Sequence, residues 1–327
     1  MNHPQPAFSV TLDGKDITDK IYPRLVSLTL TESREDAVDQ LDITVDDSDG
    51  LVAIPRKGVK ITLQLGWQDT GMVDKGTFIV DEVEHEGAPD VLVLRARSAQ
   101  LGKPIRTKKT RSFHKKTIGE IVATIAGNNS LAARISPSFK NKVIDHIDQS
   151  NESDIHFLNR IGKLYDAVAT VKKDALVFLP IGESMNSKGE IMPTVTISRK
   201  DGDRHRYNTA DRDAYSGVRA QWHDKNDAKE YSELVGSDDN PKRLRHVYAS
   251  AKAAETAAKA EWNRIQRGEA TLQFSLALGR PDITPMTSVK IPTLKAPIGS
   301  MTWLVTKTTH SLTSNGYTTQ LDMETKK

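Results

Sequence analysis

Val59-Lys60-Ile61, four residues after Pro55, returns near the other end of the chain as Val289-Lys290-Ile291, four residues after Pro285. The residues around the two stretches match in the same order. Upstream, Leu41, Ile43 and Val45 correspond to Leu272, Phe274 and Leu276. Downstream, Phe78, Val80, Val83 and His85 have the spacing of Trp303, Val305, Thr308 and His310. Alternating apolar residues occur in any sheet, so one match says little. Matches in one order point to an internal repeat, two related β modules with other material between or within them. Two such modules in one chain would let a trimer imitate six-fold symmetry.

The text around the first copy reads as short strands. Phe8, Val10 and Leu12 alternate and meet the turn pair Asp13-Gly14, and a further apolar run covers 91–94. Spacing of this kind fits a small sandwich or a barrel. From Lys103 the texture is mixed α/β. Thr117 and Glu120 form a capping box before Ile118, Ile121, Val122 and Ile125, and Gly127 can close that helix. A second helix is expected to open near Asn151 or Ser153 and to line up Ile155, Leu158, Ile161 and Leu164. Strands return at 170–178 and 194–198. A long helix is then predicted from Asn240, its cap, through Pro241 to Gly268, with a stripe of Leu244, Val247, Ala251, Ala254, Ala258, Trp262 and Ile265. The small residues of that stripe suit packing on the helix's own domain first, and on another subunit second.

Composition narrows the function classes. The chain has 327 residues, enough for about two domains. Its 46 basic and 43 acidic side chains nearly balance, which disfavours both disorder and a dedicated polyanion binder. It has no cysteine, which excludes disulfides, thiolate metal sites and thiol catalysis. The longest apolar stretch, Ala175 to Leu179, is far shorter than the roughly 20 residues of a membrane helix, and the first residues lack the pattern of a signal peptide. A soluble, multi-domain protein made in a reducing cytoplasm is expected.

No catalytic, cofactor-binding or metal site is expected. The nine histidines form no His-Glu-x-x-His or His-x-His pattern. Glu152 and His156 can share a helix face, but a solvated pair is the simpler reading. Asp46-Asp47-Ser48-Asp49-Gly50 resembles a calcium loop, yet Val45 and Arg56 stand where the loop needs acids, so it reads as a turn. Gly182-Glu183-Ser184-Met185-Asn186 lacks the second glycine of a nucleophile elbow. With 6% aromatic residues there is little for a carbohydrate platform, and Trp67 reads as core. The basic residues between Lys103 and Lys116, with Phe113 and His114 among them, are the one possible contact with nucleic acid. A solvated linker or a surface for an acidic partner is the better reading.

Several stretches resemble a known family. They are Asp13-Gly14-Lys15-Asp16-Ile17, the Asp46-Asp47 turn, Pro55-Arg56-Lys57-Gly58 before a strand ending at Leu65-Gly66, Gln149-Ser150-Asn151-Glu152-Ser153-Asp154 followed by Phe157-Leu158, Gly279-Arg280-Pro281, and Gly316-Tyr317 beyond His310. In order and spacing, over nearly the whole chain, they look like the late control gene D family of contractile-tailed bacteriophages. Two departures stand out: Met286-Thr287 where a glycine is expected after Pro285, and a poor match over 184–240.

The resemblance implies a mainly β, α+β protein with two related tube-like β-barrel modules and inserted mixed α/β and helical segments. The expected division is a first barrel at 1–102, a mixed α/β domain at 103–168, strands and loops partly of the second barrel at 169–235, a helical insertion at 236–268, and the rest of the second barrel at 269–327. It also implies a non-enzymatic virion protein, the homotrimeric hub of the tail baseplate, assembled in the host cytoplasm. Its partners would be itself, the hexameric tail tube, the trimeric central spike, and other baseplate and tape measure proteins, with no cofactor and no membrane. Type VI secretion spike proteins look similar in their N-terminal part, and bacteriocin tails carry similar hubs. A DNA-binding regulator of late genes is the alternative.

Overall fold

The computed structural model describes residues 4–34, 38–98, 103–172, 175–183, 190, 192–209, 215–224 and 228–326. Strands dominate it. The N-terminal part holds β1 (Pro6–Leu12), β2 (Lys15–Asp16), β3 (Leu25–Ser33), β4 (Gln40–Asp46), β5 (Lys60–Trp67), β6 (Gly71–Glu86) and β7 (Val91–Ser98). A middle part holds β8 (Lys108–Thr117), β9 (Ala132–Ile135), β10 (Val143–Ser153), β11 (Ala167–Lys172) and β12 (Ala175–Pro180). The remainder holds β13 (Val195–Thr196), β14 (Gly202–Thr209), β15 (Gly217–Asp224), β16 (Lys229–Gly236), β17 (Pro241–Tyr248), β18 (Ala270–Leu276), β19 (Ser288–Lys290), β20 (Thr302–Thr313) and β21 (Gly316–Thr325).

Thirteen of these strands form one sheet, and its pairing repeats. The first half runs β3-β4-β7-β6-β5-β1, and the second runs β14-β18-β21-β20-β19-β13. Irregularities repeat as well. The β6/β7 ladder breaks register between Val80 and Glu82, and the β20/β21 ladder between Val305 and Lys307. The β3/β4 ladder breaks between Leu25 and Ser27, and the β14/β18 ladder between Gly202 and Arg204. A bulge re-aims a strand at one residue, so four bulges in two equivalent pairs are a strong mark of duplication. The copies differ at one edge, where β1 pairs antiparallel with β5 but β13 pairs parallel with β19.

These ladders correct one detail of the sequence repeat. Ile61 lies opposite Phe78, and Val289 lies opposite Trp303, so Ile61 rather than Val59 is the counterpart of Val289. A strand pattern of period two looks the same after a slip of two residues, which is why the identical triplets misalign. The departure at Met286 now has a meaning. Gly58 N–H donates to Val80 O at 2.7 Å, and Met286 N–H donates to Val305 O at 2.8 Å. Both residues have left-handed backbone, φ +89° and +75°, so a methionine occupies a conformation that the other copy gives to glycine.

Each half buries its own apolar face. Val10, Leu28, Leu30, Leu41, Ile43, Leu63 and Phe78 belong to one cluster, and Leu272, Phe274, Val289, Trp303, Val305 and Leu321 to another. The first half curls enough for Lys75 on β6 to reach Glu32 on β3.

The middle part packs the helices Ile118–Asn128 and Asp154–Tyr165 against the sheet β11-β12-β9. Both helix starts are as expected: Thr117 and Glu120 form the capping box, and Ser153 caps the second helix. The boundary expected at 168 moves, because β11 and β12 pair with each other and with β9, and Val171, Leu176 and Phe178 join the middle core.

The long helix is shorter than predicted. It spans Ala251–Gly268, Ser250 caps it by accepting from Ala253 N–H at 3.3 Å, and Pro241–Tyr248 is instead an edge strand paired parallel with β15. A proline is tolerated at the first residue of an edge strand, and tertiary pairing overrides the helical spacing of Leu244 and Val247. What remains of the stripe packs within the chain. Ala254 and Ala258 are fully buried against Val218 and Ala220. Ala258→Lys is therefore expected to destabilise the fold by about 2–4 kcal/mol, since it overpacks the site and buries a charge. An unchanged denaturant midpoint would contradict that placement.

Candidate functional site

The two sheet halves join where β20 pairs antiparallel with β3, from Lys307 opposite Ser33 to Thr313 opposite Ser27. Behind this ladder lies a buried polar group. Glu32 Oε2 accepts from Lys75 Nζ at 2.7 Å and from the Thr308 hydroxyl at 3.3 Å. His310 Nε2 sits 3.3 Å from the same oxygen, while its Nδ1 lies 2.9 Å from the Thr319 hydroxyl and 3.1 Å from that of Tyr317. The side chains of Lys75, Glu32 and His310 are 2%, 8% and 0% exposed. Glu32 and Lys75 both belong to the first half, and Thr308 and His310 of the second half close on the same carboxylate oxygen, so parting the halves would strip this buried group of two polar neighbours.

Residues singled out in the sequence converge here. Trp67 is buried, as read, and its indole N–H donates to Gly279 O at 2.9 Å while its ring lies against Tyr317. A Cβ on Gly279 would stand 2.5 Å from the Tyr317 ring, so that close approach requires glycine. Arg34 beside the joint donates to Glu324 at 2.6 Å, Glu324 accepts from Arg267 at 3.0 Å, and Arg267 donates to Asp166 at 2.7 Å. This ion chain ties the joint to the end of the helix Asp154–Tyr165 and to that of Ala251–Gly268.

Burial, reinforced by the charge on Lys75, pushes the pKa of His310 down despite the nearby Glu32. Folding thus favours the neutral imidazole, and the unfolded chain binds the proton more readily. Stability is fully present above the ordinary histidine pKa of about 6.5 and falls as pH drops through and below it. Unfolding free energy is expected to decline between pH 7.5 and 5.5, and less steeply in His310→Gln. Equal slopes in both proteins would contradict a neutral His310.

The Gln149–Asp154 stretch builds a second buried group. Asp154 is fully buried and accepts from Lys109 Nζ at 2.6 Å, Arg111 Nη2 at 2.6 Å, Asn129 Nδ2 at 3.0 Å and Gln149 Nε2 at 3.0 Å. Burial raises its pKa, but the bonds from Lys109, Gln149 and Asn129 and the charge of Arg111 more than offset this and hold it below the ordinary carboxylate value. Two of the cations in the 103–116 stretch are thereby directed inward. The stretch is no linker either: 108–117 is β8, laddered with β10.

The remaining sequence candidates stay apart. Glu152 binds Arg160 at 2.9 Å rather than His156. In the Asp46–Gly50 turn, Asp46 accepts from Ser48, Asp47 from Val52 and Asp49 from Arg24. Among the described residues no group of three metal-ligating side chains occurs, and no helix is long and apolar enough to cross a membrane. Ser184 lies outside the described residues. Sequence reasoning missed Glu32, Lys75 and Asp166, three charged residues without a local signal.

Known proteins share this architecture. The 43 kDa tail protein of prophage MuSo2 from Shewanella oneidensis superposes with a TM-score of 0.73 at 13% identity, covering 98% of both chains. The tail protein of Neisseria meningitidis MC58 does so at 0.72 and 15%, covering 98% of this chain and 96% of its own. An E. coli protein described as a type VI secretion component similar to bacteriophage T4 tail proteins gives 0.57 at 12%, covering 92% of this chain and 73% of its own. In sequence, probable baseplate hub proteins of Escherichia phages 186 and P2 are 41% and 40% identical, each over 98% of this chain and 93% of theirs. The family model described as phage tail baseplate hub (GPD) matches residues 38–316, and the chain belongs to that family of phage tail structural proteins.

Proposed function

We propose that three copies of this chain form the hub that joins a hexameric tail tube to a trimeric central spike. The observation that carries this reading is the duplicated sheet, with matching strand order and matching bulges in the two halves. Three chains with two equivalent sheets each would present six similar units to the tube and a three-fold face to the spike. The role is structural rather than enzymatic, in the tail baseplate of the particle, with assembly in the host cytoplasm. A DNA-binding regulator finds less support, because Lys109 and Arg111 are engaged with Asp154.

The test is solution mass by light scattering, alone and with the neighbouring spike protein, at low and moderate salt. A trimer, or a three-to-three complex that persists as salt rises, is expected. A monomer or dimer that ignores the spike would overturn the reading, and DNA binding with a steep salt slope would revive the regulator.

A further inference from the structure

The joint inside each chain has an unused counterpart. On the duplicated pattern, the stretch of β20 that holds β3 corresponds to Glu82–Glu86 of β6, just beyond the equivalent bulge. The strand held there, β3, corresponds to β14, again fixed by its equivalent bulge. Among the described residues β14 pairs only with β18, and β6 from residue 81 onward pairs only with β7. Among the described residues each chain therefore leaves one edge of each kind open, and most residues of both edges are solvent-exposed. Unpaired edges of this kind are templates for another strand.

We propose that β6 of one copy pairs antiparallel with β14 of the next, repeating between chains the β20–β3 joint found within each chain. This rests on the three-copy ring proposed above. The internal register then sets the external one: Val83 opposite Thr209, Glu84 opposite Asn208, His85 opposite Tyr207 and Glu86 opposite Arg206. The faces agree with this register. Val83 packs against the first apolar core and Tyr207 against the second, so both point inward, while Glu84, Glu86 and Arg206 share the outer face.

The charges agree as well. The β6 edge carries Asp81, Glu82, Glu84 and Glu86 beside one histidine, His85, whereas β14 brings Arg204, His205 and Arg206 beside one acid, Asp203. Arg95 and Arg97 already hold Asp81, Glu82 and Glu84, while among the described residues Glu86 and Arg206 have no ion pair. Head-to-tail pairing by two different edges closes into a ring when the rotation per copy allows it, and a closed ring leaves neither edge open.

The absence of native cysteine makes the register directly readable. Opposed residues of an antiparallel pair have Cα atoms about 4.5–5.5 Å apart, within reach of a disulfide. Under mild oxidation, Glu86→Cys with Arg206→Cys is expected to give covalent trimers on a non-reducing gel. Glu86→Cys with Arg204→Cys, two residues out of register, is expected to give few. Both positions are exposed, so folding is not at stake. Arg206→Glu should raise the concentration for half-assembly about tenfold, and adding Glu86→Arg should restore it. Trimers by light scattering without the 86–206 link would overturn this pairing and leave the ring standing. A monomeric native chain would overturn the ring and the pairing together.

Discussion

Asp154→Ala is expected to destabilise the protein by about 3–4 kcal/mol, measured as the loss in unfolding free energy of the middle part of the chain. Two opposing effects decide the size. Lys109 and Arg111 are 29% and 23% exposed, so once freed they regain part of their hydration. Gln149 cannot, being fully buried with its amide N–H aimed at the missing oxygen. Asp154→Asn keeps the shape and one acceptor oxygen but sets an NH2 group against this ring of donors. It should therefore recover little, about 1 kcal/mol at most. Full recovery in Asn would show that shape rather than charge matters at this site. The depressed carboxyl pKa also gives a sign: its share of stability is present above the ordinary carboxylate range near pH 4 and is lost as pH falls below it.

Glu32→Ala is expected to cost about 3–5 kcal/mol, because it leaves the Lys75 ammonium, 2% exposed, without its carboxylate. The same change frees one side of His310, whose ring nitrogen faces that oxygen. A double-mutant cycle separates the pair from the rest of the joint. Glu32→Ala combined with Lys75→Met removes both charges together and should regain most of the loss, since an apolar replacement of a buried ion pair is often neutral. If the double variant were as unstable as the sum of the single ones, the two side chains would be independent. The first half would then owe little to their contact.

How much of this was legible depended on range. The strands of both copies could be read because alternation is a local pattern, visible in Leu41-Ile43-Val45 and again in Leu272-Phe274-Leu276. Caps were legible for the same reason, since Thr117 and Ser153 bond to amides only three residues away. The two-residue slip between the copies was not, because the period of a strand hides it. Nor was the strand at Pro241–Tyr248, which owes its form to a parallel neighbour rather than to its own spacing. The joint was least visible of all. Glu32 meets Thr308 across the length of the chain, and nothing around either residue marks the meeting. Asp154 stood inside a recognisable stretch, but its burial follows from partners on β8, on β10 and at the end of the helix Ile118–Asn128.

That two copies of one sheet serve a ring of six units is tested most directly by electron microscopy of the purified native chain, averaging end-on views without imposed symmetry. The expected image is a closed ring of three chains with six similar lobes, alternating slightly because β13 departs from β1. Rings built from six chains, or particles with no three-fold view at all, would contradict it.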